Sequence, residues 1–285
     1  MQNLTNLGTI REIMDRFGFT FSKSLGQNFI VNPSVCPRIA ELGGAGPETG
    51  VLEIGAGFGV LTNELASRAK KVAVVELDSR LLPVLEYTLA EHQNVVVRNQ
   101  DILKTDLPAL LEEEFPGMEV VICANLPYYI TSPILMTLLE SRLPVKAITV
   151  MVQKEAGERL CAPMPSRACG AVTAAVRYYS EPRVLFPVSR GSFYPAPNVD
   201  SMVVRLDVKD KLPLEGAEER RLFRVVRAAF GQRRKTLSNT LASGLKLPKE
   251  TGAAAIASAG LKPSARPEEL SLEQFVTLSR QFPGC

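Results

Sequence analysis

The sequence predicts an α/β protein: a doubly wound, mostly parallel sheet of seven strands with an antiparallel hairpin at one edge, followed by a small all-helical domain. Three observations predict it. After Gly50, short apolar runs alternate with amphipathic stretches, the rhythm of strand–helix units that build a parallel sheet. Two later runs, Arg183 to Val188 and Met202 to Val208, flank a Gly/Pro-rich loop and would pair as an edge hairpin. Beyond Lys209 only helical patterning remains, so the expected domains are 1–209 and 210–285.

Val51-Leu52-Glu53-Ile54 is the first strand, followed by a Gly-rich turn and a helix near Val60 to Ser67. Lys71 to Glu76 is the second, with a helix near Ser79 to Glu91. Asn94 to Arg98 is the third, before a short helix at Leu107 to Glu114. Val120 to Ala124 and Ile148 to Val152 continue the series, with helices after Thr131 and after Gln153. The stretch from Val120 to Leu139 carries no charge, but it contains Asn125, Pro127 and Pro133. One continuous membrane helix is therefore excluded, and strand, turn and helix is the expected order.

Composition narrows the chemistry. A chain of 285 residues, 46% hydrophobic and 22% charged, has the profile of an ordinary soluble protein long enough for two domains. The five cysteines (Cys36, Cys123, Cys161, Cys169 and Cys285) are scattered, odd in number and without a Cys-x-x-Cys pair. Neither a disulfide framework nor a zinc site is expected, and a reducing cytoplasm fits. The N-terminus lacks a charged-then-apolar signal pattern. His92 is the sole histidine and sits at a helix end, which argues against histidine triads and His-ligated metals. No metal and no membrane attachment are expected, and a monomer is.

Glu53-Ile54-Gly55-Ala56-Gly57-Phe58-Gly59 joins the first strand to its helix. Glycines there let a ligand approach the backbone and the helix N-terminus closely. Glu76 ends the next strand, where an acid commonly holds the two hydroxyls of a ribose. Together they indicate an adenosine-containing ligand. The dinucleotide pattern Gly-x-Gly-x-x-Gly fails in both registers, because Val60 and Thr62 stand where glycine is required. A hydride-transferring dehydrogenase is thereby disfavoured. The spacing resembles instead the first motif of S-adenosylmethionine-dependent methyltransferases. Asp101, after the third strand, matches the acid that such enzymes place near the adenine amino group.

Asn125-Leu126-Pro127-Tyr128 ends the strand Val120 to Ala124. The Asn oxygen and a turn carbonyl can accept both hydrogens of an exocyclic amine while Tyr128 stacks on its ring, the parts needed to grip adenine. Two acceptors would also favour a tetrahedral amine nitrogen with its lone pair free, so positioning and electrostatics would carry the catalysis.

With Ser24-Leu25-Gly26-Gln27-Asn28-Phe29-Ile30 and Ser192-Phe193-Tyr194-Pro195-Ala196-Pro197-Asn198-Val199-Asp200-Ser201 added, the chain closely resembles the rRNA adenine dimethyltransferases from about residue 9 to 280. Phe230-Gly231-Gln232-Arg233-Arg234-Lys235-Thr236-Leu237 is similar to the small-subunit branch of that family, the kasugamycin-sensitivity enzymes, rather than the erythromycin-resistance branch that modifies large-subunit rRNA. The resemblance implies S-adenosylmethionine as cofactor, with Gln27, Asn28, Ile30, Glu53, Gly55, Gly57, Glu76, Asp101 and Asn125 around it. It implies catalytic roles for Asn125, Leu126, Pro127 and Tyr128, and for Phe193 as a second aromatic plate. The implied substrate is two adjacent adenosines in a hairpin near the 3′ end of small-subunit (16S) rRNA, within the 30S particle or its assembly intermediate. One departure is Cys169-Gly170, where family members often carry Tyr-Gly.

The C-terminal part from Asp210 holds 13 Lys/Arg against 8 Asp/Glu. Arg220, Arg224 and Arg227 recur at helical spacing opposite Leu222, Val226 and Phe230, and Arg233, Arg234 and Lys235 continue the basic run. Beside an rRNA-modifying core, this face is expected to meet phosphates. A ribosome-assembly factor that has lost catalysis is the alternative, and the intact acids and Asn turn speak against it.

Overall fold

Strands form in this chain where apolar residues run without alternation. A parallel strand covered by helices on both faces has no polar side to show. The computed structural model describes residues 3–22, 26–232 and 234–283. Helix α1 (Leu7–Phe17) starts at Asn6, whose side chain accepts from the N–H groups of Gly8 and Thr9, and stops at Gly18 in the left-handed region. There follow β1 (Phe29–Ile30), α2 (Val35–Gly43), β2 (Thr49–Ile54), α3 (Val60–Ala66) and β3 (Lys71–Glu76). Next come α4 (Leu82–Thr88), β4 (Val95–Asn99), α5 (Leu107–Glu114), β5 (Glu119–Asn125), α6 (Thr131–Glu140) and β6 (Val145–Gln153). The chain continues through α7 (Lys154–Cys161), α8 (Ala171–Tyr179), β7 (Ser180–Val188), β8 (Phe193–Tyr194) and β9 (Ser201–Val208). Four further helices end it: α9 (Gly216–Phe230), α10 (Leu237–Leu245), α11 (Lys249–Ser258) and α12 (Leu272–Ser279).

Seven strands form one sheet in the order β4-β3-β2-β5-β6-β9-β7. The pairs β2–β3, β3–β4, β2–β5 and β5–β6 are parallel, and β9 runs antiparallel to β6. The expected sheet and its edge pair are thus present. Strand order reverses between β2 and β5, and such a switch point opens a crevice at the carboxyl ends of the strands. Five of the six residues of β2 and of β3 are buried.

The two-stranded β1–β8 ribbon is an addition to the expected elements. Phe29 pairs with Tyr194 and Ile30 with Phe193. Two-residue strands have no periodicity to detect. The ribbon is held from beneath by Phe29 stacked on Phe58, with ring centroids 4.1 Å apart.

The chain divides into two compact units, Met1–Gly157 with Pro182–Val208, and Glu158–Glu181 with Lys209–Cys285. The sequence reading put residues 158–181 in the first domain, whereas here they group with the C-terminal helices. Aromatic packing gives the reason. Tyr178 and Tyr179 of α8 lie against Phe223 of α9 at 5.1 and 5.3 Å between centroids. The Tyr178 hydroxyl donates to the Leu214 carbonyl (2.8 Å) and accepts from the Leu214 N–H (3.2 Å), so this buried polar atom is fully used. No helix among the described residues is long and apolar enough to cross a membrane.

Gly50 in β2 lies so close to the buried Phe115 that an added Cβ would stand 2.4 Å from its ring. Gly50→Ala is expected to lower the unfolding free energy by about 1–3 kcal/mol through overpacking, measured by urea denaturation.

Candidate active site

Four strand ends build one cavity of about 130 Å³ in the first unit. It is lined by residues 53–58 after β2, 75–77 at the end of β3, 100–102 after β4 and 125–130 after β5, with residues 26–30 completing it. The parallel register makes these loops neighbours, since Ile54 pairs with both Val75 and Ala124.

The glycine loop bends through the left-handed region at Gly55 (φ +74°), Gly57 (+59°) and Gly59 (+82°). Two of these answer different demands. A Cβ at Gly55 would meet nothing within 4 Å, so its backbone faces open space where a ligand can lie against it. A Cβ on Gly57 would stand 2.7 Å from the Phe29 ring, so that glycine lets the ribbon close over the loop.

Two acids lie buried beside this loop. Glu76 receives the Gly57 N–H on Oε2 (3.3 Å) and the Asp78 N–H on Oε1 (2.9 Å). Burial raises its pKa against the pull of those two donors. Glu53 is 1% exposed, and burial pushes its carboxyl up to about 8. Thr62 approaches closely enough to oppose that shift, and the charge of Glu76 adds to it. Yet neither Glu53 Oε2 nor Thr62 Oγ1 makes a hydrogen bond of sound geometry among the described residues. Burial thus favours the neutral form of Glu53, with one carboxyl oxygen unpartnered at the wall of the cavity.

Asp101 also lines the cavity, with Oδ1 accepting the Leu103 N–H at 3.0 Å and Oδ2 facing Lys104 at 3.6 Å. At the end of β5 the Asn125 amide donates to the Asn28 carbonyl (3.4 Å). That contact decides which way the amide faces and leaves Asn125 Oδ1 as its acceptor. Leu126 is buried and its N–H is bound to Met151 O (3.1 Å). The Pro127 carbonyl is occupied by Ile130 N–H (3.2 Å) and the Thr131 hydroxyl (3.1 Å). Among the described residues the Leu126 carbonyl accepts no hydrogen bond, which makes it the second available acceptor of the turn. The Tyr128 ring is anchored at its far end, where its hydroxyl shares a 2.6 Å hydrogen bond with Ser201 Oγ. Burial raises this phenol above its ordinary range, so the ring stays neutral.

Of the residues expected here, Gln27, Asn28, Ile30, Glu53, Gly55, Gly57, Glu76, Asp101, Asn125, Leu126, Pro127 and Tyr128 all line the cavity. Phe193 does not. It is 4% exposed, pairs with Ile30 in the ribbon and belongs to the apolar core, because β8 turns its ring inward. Gln27 lines the cavity but has its side chain engaged elsewhere, by Asp78 and the Ser22 N–H. The sequence reading assigned no role to Tyr129, which is 56% exposed at the cavity. An exposed tyrosine beside a turn is the only signal that could have marked it. In the second unit, Arg220, Arg224 and Arg227 are exposed on α9 while Leu222, Val225 and Val226 are buried; Arg234 and Lys235 are exposed as well. Arg233 lies outside the described residues.

This sheet order and this crevice define a methyltransferase, and solved structures agree. A dimethyladenosine transferase from Plasmodium falciparum is 26% identical with a TM-score of 0.73, covering 89% of this chain and 97% of its own. The 23S rRNA methyltransferase ErmE is 30% identical with a TM-score of 0.67, covering 89% and 99%. Residues 18–282 match the family model described as ribosomal RNA adenine dimethylase, and the chain belongs to that family. Proteins named ribosomal RNA small subunit methyltransferase A from Bacillus mycoides (strain KBAB4) and Bacillus cereus (strain B4264) are each 45% identical over 283 residues, 98% of this chain and 97% of theirs.

A prediction follows from Glu53. Its folded pKa of about 8 lies above the ordinary 4.5, so the folded state binds the extra proton between those values. Stability must then fall as pH rises through that window, with a slope approaching about 1.4 kcal/mol per pH unit. Glu53→Gln removes the titration. Urea denaturation across the window should give a flatter profile for the variant, and identical slopes would show that Glu53 is ionised in the fold.

Proposed function

We propose that the protein transfers methyl groups from S-adenosylmethionine to the exocyclic amines of two adjacent adenosines in a hairpin near the 3′ end of small-subunit rRNA, during ribosome biogenesis. The observation that carries the reaction is the Asn125 turn, where Asn125 Oδ1 and the Leu126 carbonyl stand unused at one cavity wall. The two-adenosine hairpin and the 30S particle or its precursor as substrate come with the family resemblance.

The residues present fit the cofactor. Gly55 presents bare backbone to open space, Glu76 offers carboxylate oxygens at the ribose position, and Asp101 stands after β4 where an adenine amino group would meet it. The unpartnered Glu53 Oε2 adds an acceptor next to the glycine loop. When bound, S-adenosylmethionine supplies an electrophilic methyl group on its sulfonium. The protein's own task is the adenine amine, whose lone pair is delocalised into the ring. Asn125 Oδ1 and Leu126 O accept its two hydrogens and favour a tetrahedral nitrogen, which turns the lone pair outward. Tyr128, fixed by Ser201, offers a rigid ring for stacking. Such stacking contributes roughly 1–3 kcal/mol per base and offsets the few kcal/mol of unstacking the target. The amine loses its proton after transfer, when the nitrogen is strongly acidic, so no histidine base is needed.

Large-subunit rRNA is the competing substrate, because ErmE shares the fold. The higher identity of relatives named for the small subunit, together with the Gln232 to Lys235 segment, favours the small subunit. The deciding experiment is transfer of labelled methyl from S-adenosylmethionine to small and large subunits that lack the modification, followed by digestion to nucleosides. Dimethyladenosine from small subunits alone is expected; label only in large subunits overturns the assignment. In the same assay Asn125→Ala should lose transfer by about 100-fold or more, with cofactor and RNA affinity retained. A fully active variant would show that the amine contacts are wrong.

The exposed arginines of α9 are proposed to meet the RNA backbone. Reversing Arg220 and Arg224 to Glu should weaken RNA binding and lower the salt slope by about one per lost phosphate contact. Binding titrations at several salt concentrations measure this, and an unchanged slope would remove that face from the interface.

A further inference from the structure

Asp78 stands two residues beyond Glu76, is 7% exposed, and does not line the cavity. Its carboxylate is nevertheless crowded with donors. Oδ1 accepts the Arg80 N–H (3.1 Å) and Arg80 Nε (2.8 Å); Oδ2 accepts Arg80 Nη2 (2.6 Å) and Gln27 Nε2 (2.8 Å). Its own N–H donates to Glu76 Oε1 at 2.9 Å. Hydrogen bonds from Arg80 first, and from Gln27 after the opposing effect of burial, hold the acid below the usual carboxylate range. It is thus an obligate acceptor at neutral pH.

The bond to Gln27 is the unusual one, because it spans 51 residues and leads to the segment 26–30 that completes the cavity. The other end of that amide, Oε1, accepts the Ser22 N–H at 2.9 Å, so both polar atoms of Gln27 are committed and its orientation is determined. Asn28 comes next in the chain. Its side chain donates to the Gly26 carbonyl at 3.1 Å, and its own carbonyl takes the Asn125 amide at 3.4 Å. A continuous path therefore runs from the end of β3 through Asp78 and Gln27 to the amide that presents the amine acceptor.

We infer that Asp78 is a positioning residue for methyl transfer: through Gln27 it fixes residues 26–28 against the end of β3, and so holds the Asn28 carbonyl that orients Asn125. This rests on the methyltransferase reading above and adds a residue that touches neither cofactor nor base. A helix-capping or ion-pairing role alone would account for the Arg80 contacts, but Arg80 is half exposed and such a pair contributes little. Neither role uses Gln27. The Asp78–Gln27 bond is buried on the acid's side and charge-assisted, and it ties the chain after β3 to Gln27 itself, whereas Arg80 reaches the N-terminal segment only at the Thr20 carbonyl (3.4 Å) and the Phe19 ring.

The test is an exchange of partners. Asp78→Asn keeps the cap and an acceptor for Arg80, while Gln27→Glu opposes one carboxylate with another. In the double variant the new Asn amide can donate to the new Glu carboxylate, which can also accept the Ser22 N–H. Calorimetry with S-adenosylmethionine and steady-state transfer to unmodified small subunits are the readouts, with thermal unfolding run alongside. Each single variant should weaken cofactor binding about tenfold, the scale of one hydrogen bond to a charged group, and should lower kcat as Asn125 loses its anchor. The double variant should recover to within about threefold of wild type, and Arg80→Ala should stay within about threefold in cofactor affinity. Losses that multiply in the double variant, or an Arg80→Ala loss equal to that of Asp78→Asn, would overturn the inference. A wild-type chain that bound no S-adenosylmethionine would overturn the methyltransferase reading and this inference with it. A wild type that binds, with single variants indistinguishable from it, overturns the inference alone.

Discussion

Ile54 pairs with Val75 on one side and Ala124 on the other, and every distance in the site depends on that double register. Because β2, β3 and β5 run parallel and in step, their carboxyl ends arrive at one level, and three loops with nothing in common in sequence become neighbours. The glycine loop can then reach back to Glu76, and the Asn125 turn can face both. A slip of one residue in the β2–β3 ladder would turn Glu53 and Glu76 to opposite faces of the sheet, and one in the β2–β5 ladder would shift Asn125 in the same way. The apolar runs that make these strands therefore carry functional information, although of their side chains only Glu53, Glu76 and Asn125 are polar and line the cavity.

How much of this was legible depends on the range of the interaction. The strands of the main sheet, the edge pair and the C-terminal helices were readable because a buried parallel strand and an amphipathic helix each leave a local pattern. The Gly55–Gly59 loop was readable as a tight turn at a strand end because closely spaced glycines leave a local mark, and residues 55–58 line the cavity. The inward turn of Phe193 was not readable. An aromatic in a Phe-x-Pro segment looks the same whether it meets a base or the core, and the choice is made by pairing with Ile30, far away in sequence. The grouping of residues 158–181 with the C-terminal helices was hidden for a similar reason, since α8 shows only an apolar face and not the Phe223 that covers it. Gln27 was read as a cofactor ligand from its motif, while its amide is consumed by Asp78 across 51 residues.

The electrostatics suit a reaction that needs no base. Two buried acids line the pocket, and burial raises both pKa values more than any counter-charge lowers them. An arginine beside them would lower both pKa values. Arg80 is spent on Asp78, and the exposed arginines of α9 belong to the second unit.

The ribbon of β1 and β8 has a further consequence in time. It joins Phe29 and Ile30 to Phe193 and Tyr194, and the Val31 N–H donates to the Ser192 carbonyl at 2.8 Å. Closing so long a loop adds little to the equilibrium cost, which grows only with the logarithm of length, but it delays the contact until both ends exist. On the ribosome, Phe29 and Ile30 emerge early and wait for more than half of the chain before their partners Tyr194 and Phe193 are made. The strands of the crevice can pair in that interval, yet one edge of its covering is still missing. The enzyme thus gains a closed crevice only once residue 194 of its 285 has been made.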